Sequence, residues 1–323
     1  MISVNSKKNY KFSSRRQLLS IVKLLFSIFV IDKLAILLLF VFPLTISLIW
    51  IILISQDVFP AIPDGPTFNG SVAKWYEFTI FITGVAGIFY IAVKFSEFRR
   101  TILFRRILVG GVNKAILSLV LLLFYWTIVF FVALVKFSLL FYYSKFRQEL
   151  KHIDVGFLIL GFALLSLTNI SVAFFIGNLS LSPVAISFLS FFLIFLFLLL
   201  SGLIVPIETF LIDWDEIRAS KSRDNVPNYD HWIKVNNASK IWRGITFISP
   251  MQPSIKIISN AHSLDQDWQI KLESGLGNVS AKDFGEYYRP MIYSNYWQPI
   301  GVNLLWITSF FGLGTYLLQR NQS

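Results

Sequence analysis

Long apolar runs separated by short polar breaks set the plan of this chain. The runs fall at 34–55, 75–93, 115–137, 155–177, 184–206 and 300–318. Each is close to the roughly 20 residues that a helix rising about 1.5 Å per residue needs to cross the hydrocarbon core. They predict six transmembrane helices. Ahead of the first, residues 15–33 follow a different pattern. Arg16, Ser20, Lys23 and Ser27 share one helical stripe, and Leu18, Leu19, Val22, Leu25, Phe26 and Phe29 fill the opposite face. That alternation predicts an amphipathic helix lying in the membrane interface, with a break at Asp32-Lys33 before the first span.

The breaks carry the topology. Lys94–Lys114 holds six basic residues and one acid between the second and third runs. Lys and Arg concentrate in short cytoplasmic loops, so this segment belongs inside. Phe98, Ile102, Phe104/Arg105 and Leu108 recur at helical spacing and predict a short amphipathic helix under the bilayer. Residues 56–74 are turn-rich and poor in positive charge, and belong outside. Trp75 and Tyr76 then mark an aromatic belt, and Gly84 and Gly87 a face for close helix approach. Loop 138–154 is mildly basic, and Lys136 just before it is expected to snorkel outward.

Between runs five and six, residues 207–299 hold ten basic and eleven acidic residues and five of the nine tryptophans. Parity places this region outside, as a compact, partly helical domain. The fold class is therefore an all-α polytopic membrane protein. Residues 1–33 form the tail and interfacial helix, 34–206 spans one to five with the basic segment 94–114, 207–299 the external domain, and 300–323 span six and a tail. Both termini are expected in the cytoplasm, with the protein in the cell membrane. The long basic start, without a small-residue cleavage site before the first span, predicts no cleavable signal peptide.

Composition narrows the chemistry. Of 323 residues 55% are hydrophobic and 15% charged, and the mean hydropathy is +0.65. The net charge of +11 sits beside membrane spans, so it reads as topology and attraction to anionic lipid rather than nucleic-acid binding. There are no cysteines, which excludes disulfides and thiolate metal sites. Three histidines are scattered, and Glu149/His152 is a lone E-x-x-H pair best read as a solvated helix face. Gly275 and Gly277 lack the third glycine of a dinucleotide motif, and no G-x-x-x-x-G-K-[ST] is present, so no ATP-binding loop is predicted. The sequence predicts no catalytic residue, cofactor or metal site.

The middles of the six spans carry no Asp, Glu, Lys, Arg or His. A charge there costs roughly 2.5–3.5 kcal/mol on insertion scales and is kept where proton or ion coupling needs it. The interior offers hydroxyls and amides instead: Ser118, Thr127, Thr168, Asn169, Ser187, Ser190, Asn303 and Thr308. Their ordinary role is hydrogen bonding between helices. Thr127, Asn169, Ser187 and Ser190 are the candidates for lining a pathway. A transporter of this composition draws its energy from a partner.

The layout resembles the permease subunit of type-2 ABC exporters. It has the amphipathic helix before span one, six spans, a cytoplasmic segment after span two and an external region after span five. FSEFRRTILFRRILVGGVNKAIL resembles the family's acid-then-basic segment leading into span three. LLLSGLIVPIETF (198–210) resembles the end of its fifth span. The chain departs from the family at Gly110-Gly111, where a proline-containing turn is usual, and in its larger external region. The resemblance implies two permease chains, identical or related, above two cytoplasmic ABC ATPase subunits that bind the ATP. It makes 94–114 the coupling segment, with Phe98, Ile102 and Leu108 as apolar contacts and Glu97, Arg99, Arg100, Arg105 and Arg106 orienting by charge. It implies export of an amphipathic, lipid-like, peptide or drug-like substrate, and no enzyme activity in this chain. Two other readings stand beside it. One is a membrane-embedded enzyme of lipid or envelope metabolism using Asp213, Asp215, Glu216, Asp230 and His231, and the other is a structural or sensory membrane protein.

Overall fold

The computed structural model describes residues 14–55, 71–109, 112–143, 154–201, 248–263 and 297–320, and every regular element among them is helical. Asp32 divides the N-terminal stretch. Helix α1 (Ser14–Ile31) stops one residue before it and α2 (Lys33–Ile36) starts one residue after. One oxygen of its carboxylate accepts the Leu34 and Ala35 N–H groups, both at 3.1 Å, and so caps α2. The break falls where the sequence puts it. Helix α1 turns Ile21, Leu25 and Phe29 inward, while Leu19, Val22 and Phe26 are exposed beside Ser20, Lys23 and Ser27.

Six helices are long and apolar enough to cross a membrane: Lys33–Leu53, Phe78–Arg100, Lys114–Leu140, Val155–Gly177, Pro183–Leu200 and Trp297–Arg320. Span one is α2, a π-helical stretch π1 (Leu37–Val41) and α3 (Phe42–Ser55). Pro43 accounts for π1. It has no N–H to give the Leu39 carbonyl and its ring crowds that turn, so the helix widens and the Phe42 N–H reaches back to Leu37 O. Span two is α4 (Ser71–Gly84), a second π-helical stretch π2 (Val85–Tyr90) and α5 (Ile91–Arg100). The two π segments touch. Helix α6 (Ile102–Val109) follows, then span three as α7 (Lys114–Leu140), span four as α8 (Val155–Gly177) and span five as α9 (Pro183–Leu200). Helix α10 (Gln252–Ser263) precedes α11 (Trp297–Arg320), which is span six.

Span four is the hub. It is buried along most of its length and packs on spans two, three, five and six and on α10. Small residues allow this. A Cβ on Gly177 would lie 2.6 Å from Phe95 Cβ and 2.7 Å from the Ala92 carbonyl oxygen, so span two can reach this close only to a glycine. Gly84 and Gly87 do face close neighbours, Met251 and Asn169 respectively.

Four features depart from the sequence-based expectation. Span two does not end at Val93; its helix runs on to Arg100 and the basic segment is split at Thr101. Trp75 is fully buried rather than in an aromatic belt, donating Nε1–H to Ser47 Oγ at 3.1 Å, with its ring against Phe137 and Phe162. Lys136 does not snorkel outward; it is 1% exposed, because span two covers it. Of the expected external domain 207–299, residues 248–263 and 297–299 are described and pack against the spans, and the remainder lies outside the described residues. Ser254 receives a hydrogen bond from Asn303, and Asn303 accepts one from Thr168 at 2.7 Å. Thr168 lies 13 residues past Val155, or about 20 Å along span four. Helix α10 therefore starts near mid-depth and rises to Ile258, which packs on Gly161 nearer the start of span four.

Candidate functional site

The basic segment gathers at one end of the bundle, and Thr101 organises it. Its backbone is extended (φ −73°, ψ 150°), which stops α5. Its hydroxyl donates to Phe98 O at 2.7 Å and accepts from Phe104 N–H at 3.2 Å, so one side chain closes α5 and opens α6. Phe104 then turns inward, 1% exposed, and meets Phe98 edge to face at 5.4 Å. These contacts fix the direction in which α6 leaves span two.

Arg99 and Arg100 point at the protein, not away from it. Arg99 donates to Asn178 O at 2.7 Å and Leu179 O at 2.8 Å, and Arg100 donates to Leu181 O at 2.6 Å. Asn178 is the C-cap of span four. The end of a helix presents unpaired carbonyls and a partial negative charge, which two guanidinium groups satisfy. Span two is thus bolted to the connection between spans four and five. Glu97 stays exposed and accepts from Lys94 Nζ, one turn back on the same helix, at 3.0 Å. Lys94 also pairs with Asp32 at 2.8 Å, and Tyr90 OH donates to the same Asp32 oxygen at 3.0 Å. Burial pushes the Asp32 carboxyl up, but the Lys94 ammonium, the Ala35 N–H and the Tyr90 hydroxyl outweigh it and hold it below its usual value.

What α6 leaves outward is one stripe. Ile102, Arg105, Arg106 and Val109 are exposed, at spacings of three, four and seven from Ile102. Ile102 is 70% and Val109 88% exposed. Of the residues the sequence singled out, Ile102, Arg105 and Arg106 belong to this outward face, whereas Phe98 and Leu108 pack against the core. The sequence missed Val109, although the i, i+7 spacing from Ile102 was available.

The interior polar residues divide in two. Thr127 is exposed and gives its hydroxyl to Leu123 O, and Ser187 gives its own to Pro183 O, one turn back in each case. Asn169 and Ser190 are fully buried with no partner: both amide atoms of Asn169 and the Ser190 hydroxyl lack a hydrogen bond. Asn169 faces Gly87 in π2. Thr168 and Asn303 are the links to Ser254 in α10, so they hold spans four and six to that helix.

No group of three or more His, Asp or Glu side chains is placed to hold a metal among the described residues. Asp213, Asp215, Glu216, Asp230, His231 and the Glu149/His152 pair lie outside the described residues. Comparison with protein-family models, with curated proteins and with solved structures gives no match to this chain.

Proposed function

We propose that this chain is the membrane-spanning permease subunit of an ATP-driven exporter. A separate cytoplasmic ABC ATPase supplies the energy, and a second permease chain, identical or related, completes the pathway. The observation that carries the reading is the arrangement around Thr101. A short helix offers Ile102, Arg105, Arg106 and Val109 outward, while Arg99 and Arg100 at its root grip the connection between spans four and five. Apolar anchors flanked by arginines suit a groove with an acidic rim. Force applied to α6 would reach span two directly and spans four and five through the clamp. ATP-driven closure of the ATPases would then tilt these spans together.

The interior supports an amphipathic cargo. Its polar groups away from the basic end are largely uncharged, with Asn169 and Ser190 unpartnered where a passing molecule could offer hydrogen bonds. In this reading the protein sits in the cell membrane, with both termini and α6 in the cytoplasm, and α1 lies along the cytoplasmic interface.

The test is isolation of the tagged full chain in mild detergent. An ABC ATPase subunit should co-purify with the wild type and be lost with R105E/R106E, while the melting temperature of the permease stays unchanged. Recovery of a well-folded wild-type chain without any ATPase would overturn the reading.

A further inference from the structure

At the end of the bundle opposite the basic segment, Lys136 is buried with no acid beside it among the described residues. It lies in span three, 22 residues beyond Lys114 and four before the helix ends at Leu140. Its side chain is 1% exposed, and its one hydrogen bond among the described residues runs from Nζ to Thr83 Oγ1 in span two, at 3.0 Å. The Thr83 hydroxyl spends its proton on Thr79 O at 2.7 Å, so its oxygen is fixed as an acceptor facing the lysine. An ammonium has three N–H donors. Among the described residues two of them find no partner, and no ion pair to Lys136 exists. Thr79 lies one turn away on the same face of span two, 1% exposed, and its hydroxyl has no partner either.

Beyond the two threonines, the described neighbours at this level are largely apolar. Trp75 is one turn beyond Thr79, with its ring 6.5 Å from Phe137 and 6.1 Å from Phe162. Its only polar atom is already given to Ser47. On the other side, Met251 packs on Gly84, next to Thr83. A buried ammonium with a single hydroxyl acceptor among the described residues is costly, and membrane proteins keep such a group where it serves a ligand or a pathway. The unfilled donors, two on Lys136 and one on Thr79, suit an oxyanion. The walls suit the hydrocarbon that carries it.

We propose that Lys136, with Thr79 and Thr83, binds the acidic headgroup, carboxylate or phosphate, of an amphiphile between spans two and three. The headgroup accepts from Lys136 Nζ and the Thr79 hydroxyl, and the chain lies along the Trp75–Phe137 wall. The site is closed in this arrangement, so entry requires span two to move relative to span three. That motion is the one the exporter reading gives to span two, and the proposal rests on that reading for its role in transport, though not for binding.

Binding is measured on the purified full chain without any ATPase, so a failure to recover an ATPase leaves this test intact. Oleate and dodecyl phosphate are the free-amphiphile probes, dodecanol is the uncharged control, and inorganic phosphate tests the headgroup alone. Phosphatidylglycerol against phosphatidylcholine in nanodiscs, read by native mass spectrometry, tests a membrane lipid as the source. Saturable binding of the single-chain anions, absent with dodecanol and weak with inorganic phosphate, supports the site and a free amphiphile. Retention of phosphatidylglycerol alone supports the site and assigns it to lipid. Lys136→Met should lower affinity by at least about tenfold, and Lys136→Arg should retain most of it. If Lys136→Met does not fold, Thr79→Val leaves the lysine in place and should weaken binding by roughly threefold or more. Wild-type affinity in Lys136→Met or Thr79→Val, or equal binding of oleate and dodecanol, would overturn the proposal.

Discussion

Asp32 and Lys94 meet at 2.8 Å, 62 residues apart in sequence, and join the start of span one to the last turns of span two. The same carboxylate caps α2 through its other oxygen and takes the Tyr90 hydroxyl. One side chain thus ends α1, starts span one and holds span two.

Asp32→Asn separates these roles. Asparagine caps a helix nearly as well as aspartate, so what is lost is the ion pair to Lys94 and the acceptor of the Tyr90 hydroxyl. Both side chains are about a quarter exposed, which limits the pair to about 1 kcal/mol or less. Asp32→Ala loses the cap too and should cost about 1 kcal/mol more. Thermal unfolding of both variants in one detergent checks the order. The pH dependence follows from the lowered pKa. The carboxylate is favoured in the folded state, so its contribution is full above the ordinary value of 3.8 and is lost as pH falls through the lower folded value. The difference between wild type and Asp32→Asn should therefore be flat from pH 7 to 5 and shrink below pH 4.

The two arginine pairs should behave differently. Arg99→Met removes two charge-assisted hydrogen bonds to the end of span four and should cost about 1.5–3 kcal/mol. Arg105→Met touches an exposed position and should leave stability within about 0.5 kcal/mol. Equal melting temperatures for the two would show that the clamp contributes nothing to the fold.

Gly177→Ala should destabilise by about 1–3 kcal/mol, because the new Cβ would overlap Phe95 and the Ala92 backbone. Gly312 is the control. Nothing lies within 4 Å of a Cβ there, so Gly312→Ala should be neutral or stabilising by up to about 1 kcal/mol through helix propensity. Melting curves of the pair distinguish packing from propensity.

Neighbouring amides on spans four and six give opposite expectations. Asn303→Leu leaves Ser254 without its donor, while the Thr168 hydroxyl keeps the Leu164 carbonyl at 2.9 Å, and should cost about 1–3 kcal/mol. Asn169→Leu removes a buried amide that has no partner to lose, so stability should hold or rise. If Asn169 lines a pathway, transport falls while the melting temperature does not. A sharp loss of stability in Asn169→Leu would make it a structural residue.

The six spans, the break at Asp32-Lys33 and the clustering of arginines between spans two and three were legible in the sequence. Each is a local property: run length decides whether a helix can cross a bilayer, and a charged pair between apolar runs marks a break. That Asp32 caps α2 is seen only in the structure. Tertiary structure decided which partner each side chain meets. Phe98, Ile102 and Leu108 recur at spacings that read as one stripe, but Thr101 breaks the helix between the first and the others, and Phe104 and Leu108 turn to the core. Arg99 and Arg100 read as free surface charge until span four's carbonyl end is placed beside them. Lys136 sits four residues from a helix end, where a lysine commonly reaches outward. Only the packing of span two across that end decides that it stays buried on Thr83. The stretch before span six is polar enough to read as external, yet Ser254 finds Asn303 near mid-depth, a pairing 49 residues apart that no local pattern encodes. Periodicity fixes the phase of a helix, whereas the faces that meet are fixed by close approach at residues such as Gly177 and Gly161, which requires the neighbouring helix to be in place.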